Sequence, residues 1–468
     1  MQCSGNTPCS NCERKGKPCS YAAPTADKPI IILGSGGHAS TLTFAVTTKH
    51  SKGTARLKTP LRPSPAMDDE RFFYYFDVFA QRNNFNGKKH LFTKDVKQMS
   101  ELQTSPYLLN SIRALGAFQA SKLQASEQRG KYTGDAYSGY VFYSQAVAGL
   151  RQSLDGHQKT FSQSNRTALL WTTLFLGMFE LMSDASEVGW LQHMVHGTAK
   201  GLVAAGPSIC NTKAGARMFQ QAKMFEVCRT IVFNDTSILT RPEWMTVSQE
   251  QWKNSELSKD WRPLDSLVDI MLRCPDLRHR TSRFCDAEDA SPSPEVPQEA
   301  RDIATEGWKL RDALNTWHRT YMKRDGPDNS SDASSSNTQP TEVEEDCTVL
   351  MTLFWSAISI YLSGEFDYEI HHWNRFELKV PILDRETVME YVETILSLTE
   401  FALESTTLSP LLFLFPLRIA GARSAWASKT QRDRVLHIVD TISGRFAVAR
   451  AIREGLQEAW QHMGVVDD

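Results

Sequence analysis

Apolar residues recur every three or four positions along most of the chain beyond residue 67. Phe72, Phe76 and Phe79 show this spacing, and Ser105 followed by Pro106 is typical of a helix start. The same period predicts further helices over 136–154, 167–182, 190–205, 214–233, 264–271, 296–321, 349–362, 386–403 and 432–460. No alternation typical of strands competes with it. The sequence therefore predicts an all-α, multi-helix domain over 68–463.

Three stretches interrupt the apolar pattern. Residues 22–67 are rich in Pro, Ser, Thr and Lys and are predicted to form a disordered linker. Residues 324–345, RDGPDNSSDASSSNTQPTEVEE, are predicted to be a disordered insertion because they have too little apolar surface to bury. A shorter acidic break is predicted over 286–297. The chain thus divides into a short module at 1–21, the linker and the helical domain.

Composition is that of an ordinary soluble protein. The chain has 468 residues, of which 41% are hydrophobic and 23% are charged, which is enough for a large core. The formal net charge is −2, so any affinity for DNA requires a local basic patch. The most apolar runs, 169–182 and 411–417, are too short to span a bilayer, and we expect no membrane segment.

Four of the nine cysteines lie within the first nineteen residues. Cys9 and Cys12 form a CxxC pair whose turn brings both thiolates to one ion, and Cys3 and Cys19 lie close enough to complete a four-thiolate zinc shell. The other five cysteines are scattered and no signal peptide is evident, which favours a reducing compartment and metal binding over disulfides. The compact spacing and the basic residues between the ligands favour zinc over an iron–sulfur cluster.

The segment CSGNTPCSNCERKGKPCSY, residues 3–21, resembles the second two-thirds of the fungal six-cysteine binuclear zinc cluster. Pro8 before the CxxC pair and Tyr21 after the last cysteine fit the family pattern. The resemblance implies double-stranded DNA as a partner, a nuclear location and regulation of RNA polymerase II genes. The family's first two cysteines and its base-reading helix would precede Met1. We therefore expect one Zn²⁺ where the intact module holds two, and impaired reading of specific DNA sequences.

Three basic residues inside the cysteine array are candidates for contacts with DNA. Arg14, Lys15 and Lys17 are positioned to touch phosphates, each through a weak and salt-sensitive interaction. The same charges also suit a solvated loop, so both interpretations stay open.

The helical body carries a second resemblance. The stretches at 169–207, 239–245 (LTRPEWM), 264–277 (LDSLVDIMLRCPDL) and 415–422 (FPLRIAGA) resemble, in this order, the fungal-specific transcription factor domain. That family implies a regulatory and interaction module that responds to effectors and binds transcriptional co-regulators, not a catalyst. A homodimer is also open, although the linker shows no heptads.

Enzyme motifs are weak. The glycine loop IIILGSGGH at 30–38 resembles the opening of sugar-nucleotide-dependent transferases, but no capped helix follows it. His193 with His196, and His371 with His372, lack a defined third metal ligand. The first pair is predicted to pack inside a helix layer and the second to lie in a polar loop. We therefore expect no enzymatic activity.

Three functions from different classes follow from these patterns. The favoured one is a zinc-dependent, DNA-binding transcription regulator. The alternative is a helical regulatory or interaction protein without specific DNA binding, and a sugar-nucleotide-dependent transferase is the weakest hypothesis.

Overall fold

The computed structural model describes residues 65–85, 105–127, 133–155, 163–185, 197–233, 235–250, 253, 262–291, 295–322 and 342–464. All of them belong to one compact unit within Ala55–Asp468. Across these described ranges the backbone is helical without a named strand, and one isolated parallel bridge pairs Asn84 with Leu408. The prediction of an all-α domain is confirmed.

The helices of the described residues are numbered in chain order. They are α1 (Pro65–Arg82), α2 (Pro106–Glu127), α3 (Thr133–Asp155), α4 (Gln163–Ser183), α5 (Lys200–Ala205), α6 (Lys213–Phe233), α7 (Pro242–Glu250), α8 (Pro263–Met271), α9 (Arg273–Ala290), α10 (Gln298–Tyr321), α11 (Glu342–Asp367), α12 (Ile370–Arg375), α13 (Arg385–Ser405), α14 (Leu411–Arg423), α15 (Lys429–Ser443) and α16 (Ala449–His462). Short 3₁₀ turns occur at Pro207–Asn211, Ile238–Thr240 and Ser424–Trp426.

Helices α1 to α4 pack against one another around buried aromatic rings. Phe76 of α1 meets Phe175 of α4 edge-on, with ring centroids 5.4 Å apart. Helices α1 and α2 approach so closely at Gly116 that any side chain there would overlap the carbonyl group of Phe72. Glycine at this position therefore sets the distance between the first two helices.

Helix α11 is the central element of the C-terminal part and packs against α8, α9, α10, α13 and α14. Its stretch Asp346–Asp367 has a mean hydropathy of 1.5 and, by length and composition alone, is long and apolar enough to cross a membrane. The surrounding helices bury 83% of its most apolar window. That burial is typical of the central helix of a globular core.

Helix α6 connects the N-terminal helices α1 to α4 with the helices around α11. It contacts α4 of the first group and α8, α9 and α14 of the second. Two of its basic residues are buried and paired. Nζ of Lys223 lies 2.6 Å from Oδ1 of Asp269 and 2.8 Å from Oγ of Ser248. The guanidinium group of Arg229 donates two hydrogen bonds of 2.9 Å to the carboxylate of Glu226. These contacts fix α6 against α7 and α8 and hold its own last turns.

Backbone hydrogen bonds join the beginning and the end of the domain. The N–H of Asn84, after α1, donates to the carbonyl of Thr407 at 2.9 Å, and the N–H of Ser409 donates back to Asn84 at 2.9 Å. Near the C-terminus, the N–H of Val448 donates to the carbonyl of Leu181 in α4 at 3.2 Å. These hydrogen bonds therefore join segments near the N-terminal end of the described domain to segments near its C-terminal end.

The predicted helix over 432–460 is wrong in one respect, because the structure divides it into α15 and α16. The chain turns after Gly444, and Phe446 and Val448 are buried within the turn. Since apolar residues continue through the turn, the sequence period does not reveal it.

The break predicted over 286–297 begins too early, because residues 286–290 complete α9. This helix carries Pro275 in its first turn and many charged residues, which weakens its apolar period, although Leu277 and Phe284 are buried. The predicted insertion at 324–345 lies outside the described residues except for 342–345, which begin α11. Of the helix predicted over 190–205, the structure describes residues from 197 onward, where α5 covers Lys200–Ala205.

Candidate functional site

The residues predicted to bind zinc and DNA lie outside the described residues, as do the glycine loop at 30–38 and the histidine pair His193 and His196. This applies to Cys3, Cys9, Cys12, Cys19, Arg14, Lys15 and Lys17. Their roles stay predictions.

His371 and His372 lie in helix α12 and not in the polar loop that the sequence predicted. Trp373 is fully buried and stacks on Phe284 of α9, with ring centroids 5.9 Å apart. This contact presses α12 against the core, so that the His372 side chain is only 2% exposed while that of His371 is 64% exposed. Trp373 was the signal that could have predicted the burial, because a tryptophan side chain carries a large apolar surface that is usually buried.

Side chains from the end of α9 and the start of α12 form a compact group, here named the α9–α12 cluster: Cys285, Asp289, Glu369, His371 and His372. Nε2 of His372 lies 3.2 Å from Oδ1 of Asp289 and 4.0 Å from Oε2 of Glu369. Potential ligand atoms of Cys285, Glu369 and His372 all lie within 4.8 Å of one another. Those of Asp289, His371 and His372 do so as well. The sequence pattern does not reveal Cys285 and Asp289 as part of a site, because it does not predict α9, the helix that carries them.

The α9–α12 cluster is strongly acidic. Burial, followed by the negative charges of Glu369 and Asp289, raises the pKa of the Cys285 thiol to about 12. Burial also raises the pKa of Glu369, against the opposing effect of His372 and His371. The thiol is therefore protonated at neutral pH, and the site favours an added positive charge.

A second polar group is buried between α9, α10 and α11. Glu365 of α11 is 3% exposed, and neither of its carboxyl oxygens has a hydrogen-bond partner among the residues the structure describes. The hydroxyl of Tyr361, one turn earlier, is likewise unpartnered within the described ranges. Arg278 of α9 lies over the Tyr361 ring, 5.3 Å from its centroid. Arg311 of α10 donates to two backbone carbonyls at 3.0 and 3.1 Å.

Burial raises the pKa of Glu365 well above its ordinary value of 4.5, although Arg278 and Arg311 oppose the shift. Loss of solvation dominates because the carboxyl group lies fully inside the protein. Because burial raises the pKa of Glu365, this carboxyl group couples the stability of the fold to pH.

An apolar cavity lies where α4, α6, α14 and α16 meet. Its walls include Leu181, Phe225, Cys228, Phe415 and Ile452. Burial raises the pKa of the Cys228 thiol to about 12, so this thiol acts as a small apolar side chain. The cavity offers shape and hydrophobic contact with almost no polar group that would orient a ligand.

Comparison with known protein families assigns the helical body. The family model described as "Fungal specific transcription factor domain" matches residues 72–465, a span from the second turn of α1 through α16. Neither the curated proteins nor the solved structures gave a match. The resemblance of the helical body is thereby confirmed, whereas the zinc cluster stays a prediction. The family is a transcription factor domain and not an enzyme family. The chain therefore belongs to the fungal-specific transcription factor domain family, which indicates a fungal transcription regulator.

Proposed function

We propose that the chain is a zinc-dependent, DNA-binding regulator of RNA polymerase II genes that acts in the fungal nucleus. The observation that carries this proposal is the order of its parts. A compact array of four cysteines precedes a domain that belongs, over residues 72–465, to a transcription factor family.

The donor set of the array suits zinc. Cys3, Cys9, Cys12 and Cys19 supply four thiolates, the composition of a closed structural zinc site. Zinc would fix the loop between them and thereby hold its basic residues together. Arg14, Lys15 and Lys17 then contact DNA phosphates, which positions the protein on the duplex.

The helical domain serves as the regulatory body in this proposal. Its central helix α11 is enclosed by neighbouring helices, and α6 contacts α4 as well as α8, α9 and α14, with a buried ion pair between Lys223 and Asp269 of α8. Such a body offers outer helix surfaces to transcriptional co-regulators and transmits the effect of an effector through packed helices. Binding of partners therefore depends on the helical domain, and binding of DNA depends on the cysteine array.

The experiment compares the full chain with a four-serine variant, in which Cys3, Cys9, Cys12 and Cys19 are each replaced by serine. Anisotropy of a labelled duplex from a randomised pool measures DNA binding over a salt series, and elemental analysis measures zinc. Three phosphate contacts predict a slope of log affinity against log salt of about −2.7, which is about a 40-fold loss between about 50 and 200 mM salt. We expect the four-serine variant to lose one zinc and this binding.

Two results would contradict the proposal. Equal zinc content in both proteins would show that the cysteines are not ligands. Equal DNA affinity in both proteins, or none in either, would favour the helical interaction protein without DNA binding of its own.

A further inference from the structure

We propose that the α9–α12 cluster is a second zinc site, held by Cys285, Glu369 and His372. It lies in the helical domain and is independent of the N-terminal cysteine array.

The state of His372 is the first observation that carries this inference. The side chain is 2% exposed, and neither ring nitrogen has a hydrogen-bond partner among the residues described. Nε2 lies 3.2 Å from Oδ1 of Asp289, but the angle does not suit a hydrogen bond. A buried polar group without a hydrogen bond is costly, and a metal ion would satisfy the lone pair of the imidazole.

The ligand types select the ion. Sulfur from Cys285 and nitrogen from His372 favour zinc over the magnesium and calcium ions that prefer oxygen alone. One thiolate and the carboxylate of Glu369 balance the two charges of Zn²⁺ at a site of which Cys285 and His372 are buried while Glu369 is partly exposed. Binding displaces the proton of the Cys285 thiol, which leaves to solvent as the zinc–sulfur bond forms.

The distances require only a small adjustment. Bond lengths of 2.0 to 2.3 Å place tetrahedral zinc ligands about 3.3 to 3.8 Å apart. The three ligand atoms already lie within 4.8 Å of one another, so side-chain shifts of about 1 Å close the shell. Asp289, 65% exposed and adjacent to His372, lies on the solvent side and can supply the fourth ligand.

The two helices hold the ligands in place from both sides. Trp373 follows His372 and stacks on Phe284 of α9. Beyond it, Arg375 donates to Oε2 of Glu288 at 2.6 Å. Because these contacts already fix α12 against α9, zinc binds a preformed site and ties the two helices together.

The experiment uses the full-length four-serine variant, so that the N-terminal array contributes no zinc. After removal of metal with a chelator, the protein receives Zn²⁺, and elemental analysis measures what is retained. We expect one zinc per chain. Cys285→Ser and His372→Gln should each weaken zinc binding at least about 100-fold, because loss of even an outer partner of a metal ligand commonly costs 10- to 100-fold. His371→Gln, a change at the exposed neighbouring histidine, is the matched control and should retain the zinc.

Co²⁺ gives a readout that needs no substitution in the cluster. When Co²⁺ is added to the four-serine variant, which keeps Cys285, it should produce a thiolate-to-metal charge-transfer band. Absence of this band would overturn the proposal even if Cys285→Ser fails to fold. No retained zinc in the four-serine variant would also overturn it. Loss of zinc in His371→Gln with retention in Cys285→Ser would place the ion among the exposed residues Asp289, His371 and His372, and would contradict the ligand set proposed here.

Discussion

Replacement of Glu365 by glutamine changes how the stability of the domain depends on pH. The carboxyl group is fully buried, and its pKa in the folded chain lies well above the ordinary value of 4.5. Glutamine has nearly the same shape but cannot ionise. The comparison of the two proteins therefore isolates the proton held by Glu365.

The sign follows from the direction of the shift. Above pH 4.5 the unfolded chain releases this proton while the folded chain keeps it. The stabilising contribution of Glu365 to the free energy of unfolding is therefore complete below that pH and decreases as the pH rises. The fall approaches about 1.4 kcal/mol per pH unit and ends when the pH reaches the pKa of the folded state. The free energy of unfolding of Glu365→Gln, relative to that of the unsubstituted chain, should therefore increase as the pH rises above 4.5, by up to this amount per pH unit.

Urea unfolding followed by circular dichroism, at a series of pH values from about 5 to 7, measures this difference. Glu299→Gln is the matched control, since it removes a carboxyl group at an exposed position of α10. Parallel pH profiles for Glu365→Gln and the unsubstituted chain would refute the conclusion that burial raises the pKa of Glu365.

Two further substitutions test the packing. Arg229→Met leaves the buried carboxylate of Glu226 without its bidentate partner and should lower the free energy of unfolding by about 3 to 5 kcal/mol. In urea unfolding, the double variant Arg229→Met with Glu226→Leu should recover part of this loss. An equal loss in the single and the double variant would contradict the ion-pair explanation. Gly116→Ala should lower the thermal midpoint because its Cβ would overlap the Phe72 carbonyl, whereas Gly455→Ala, with nothing closer than 3.9 Å, should raise it. Equal shifts for both glycines would show that packing between α1 and α2 does not decide the result.

The sequence predicts the helices whose buried faces repeat regularly. Helix α10 was expected over 296–321 and is found at Gln298–Tyr321, because Ile303, Leu310, Leu314 and Trp317 keep one face apolar. The turn after Gly444 could not be predicted in the same way. Its position depends on the hydrogen bond from Val448 to Leu181, which is distant in sequence.

Buried charged groups are the part of the candidate sites that the sequence does not reveal. Lys223 looks like an ordinary surface lysine, and its partner Asp269 lies two helices further along the chain. Cys285 and His372 are separated by α10 and α11 and meet only because α12 folds back on the end of α9. Periodicity reports which face of a helix is buried, but not which helices meet.

Chromatin association in the fungal host tests the central claim most directly. The full chain and the four-serine variant would each be expressed from the native locus, cross-linked, and mapped on the genome by immunoprecipitation and sequencing. A zinc-dependent DNA-binding regulator predicts discrete promoter peaks for the full chain that disappear in the four-serine variant, with equal amounts of both proteins. Peaks that persist in the variant, or no peaks for the full chain, would contradict the account.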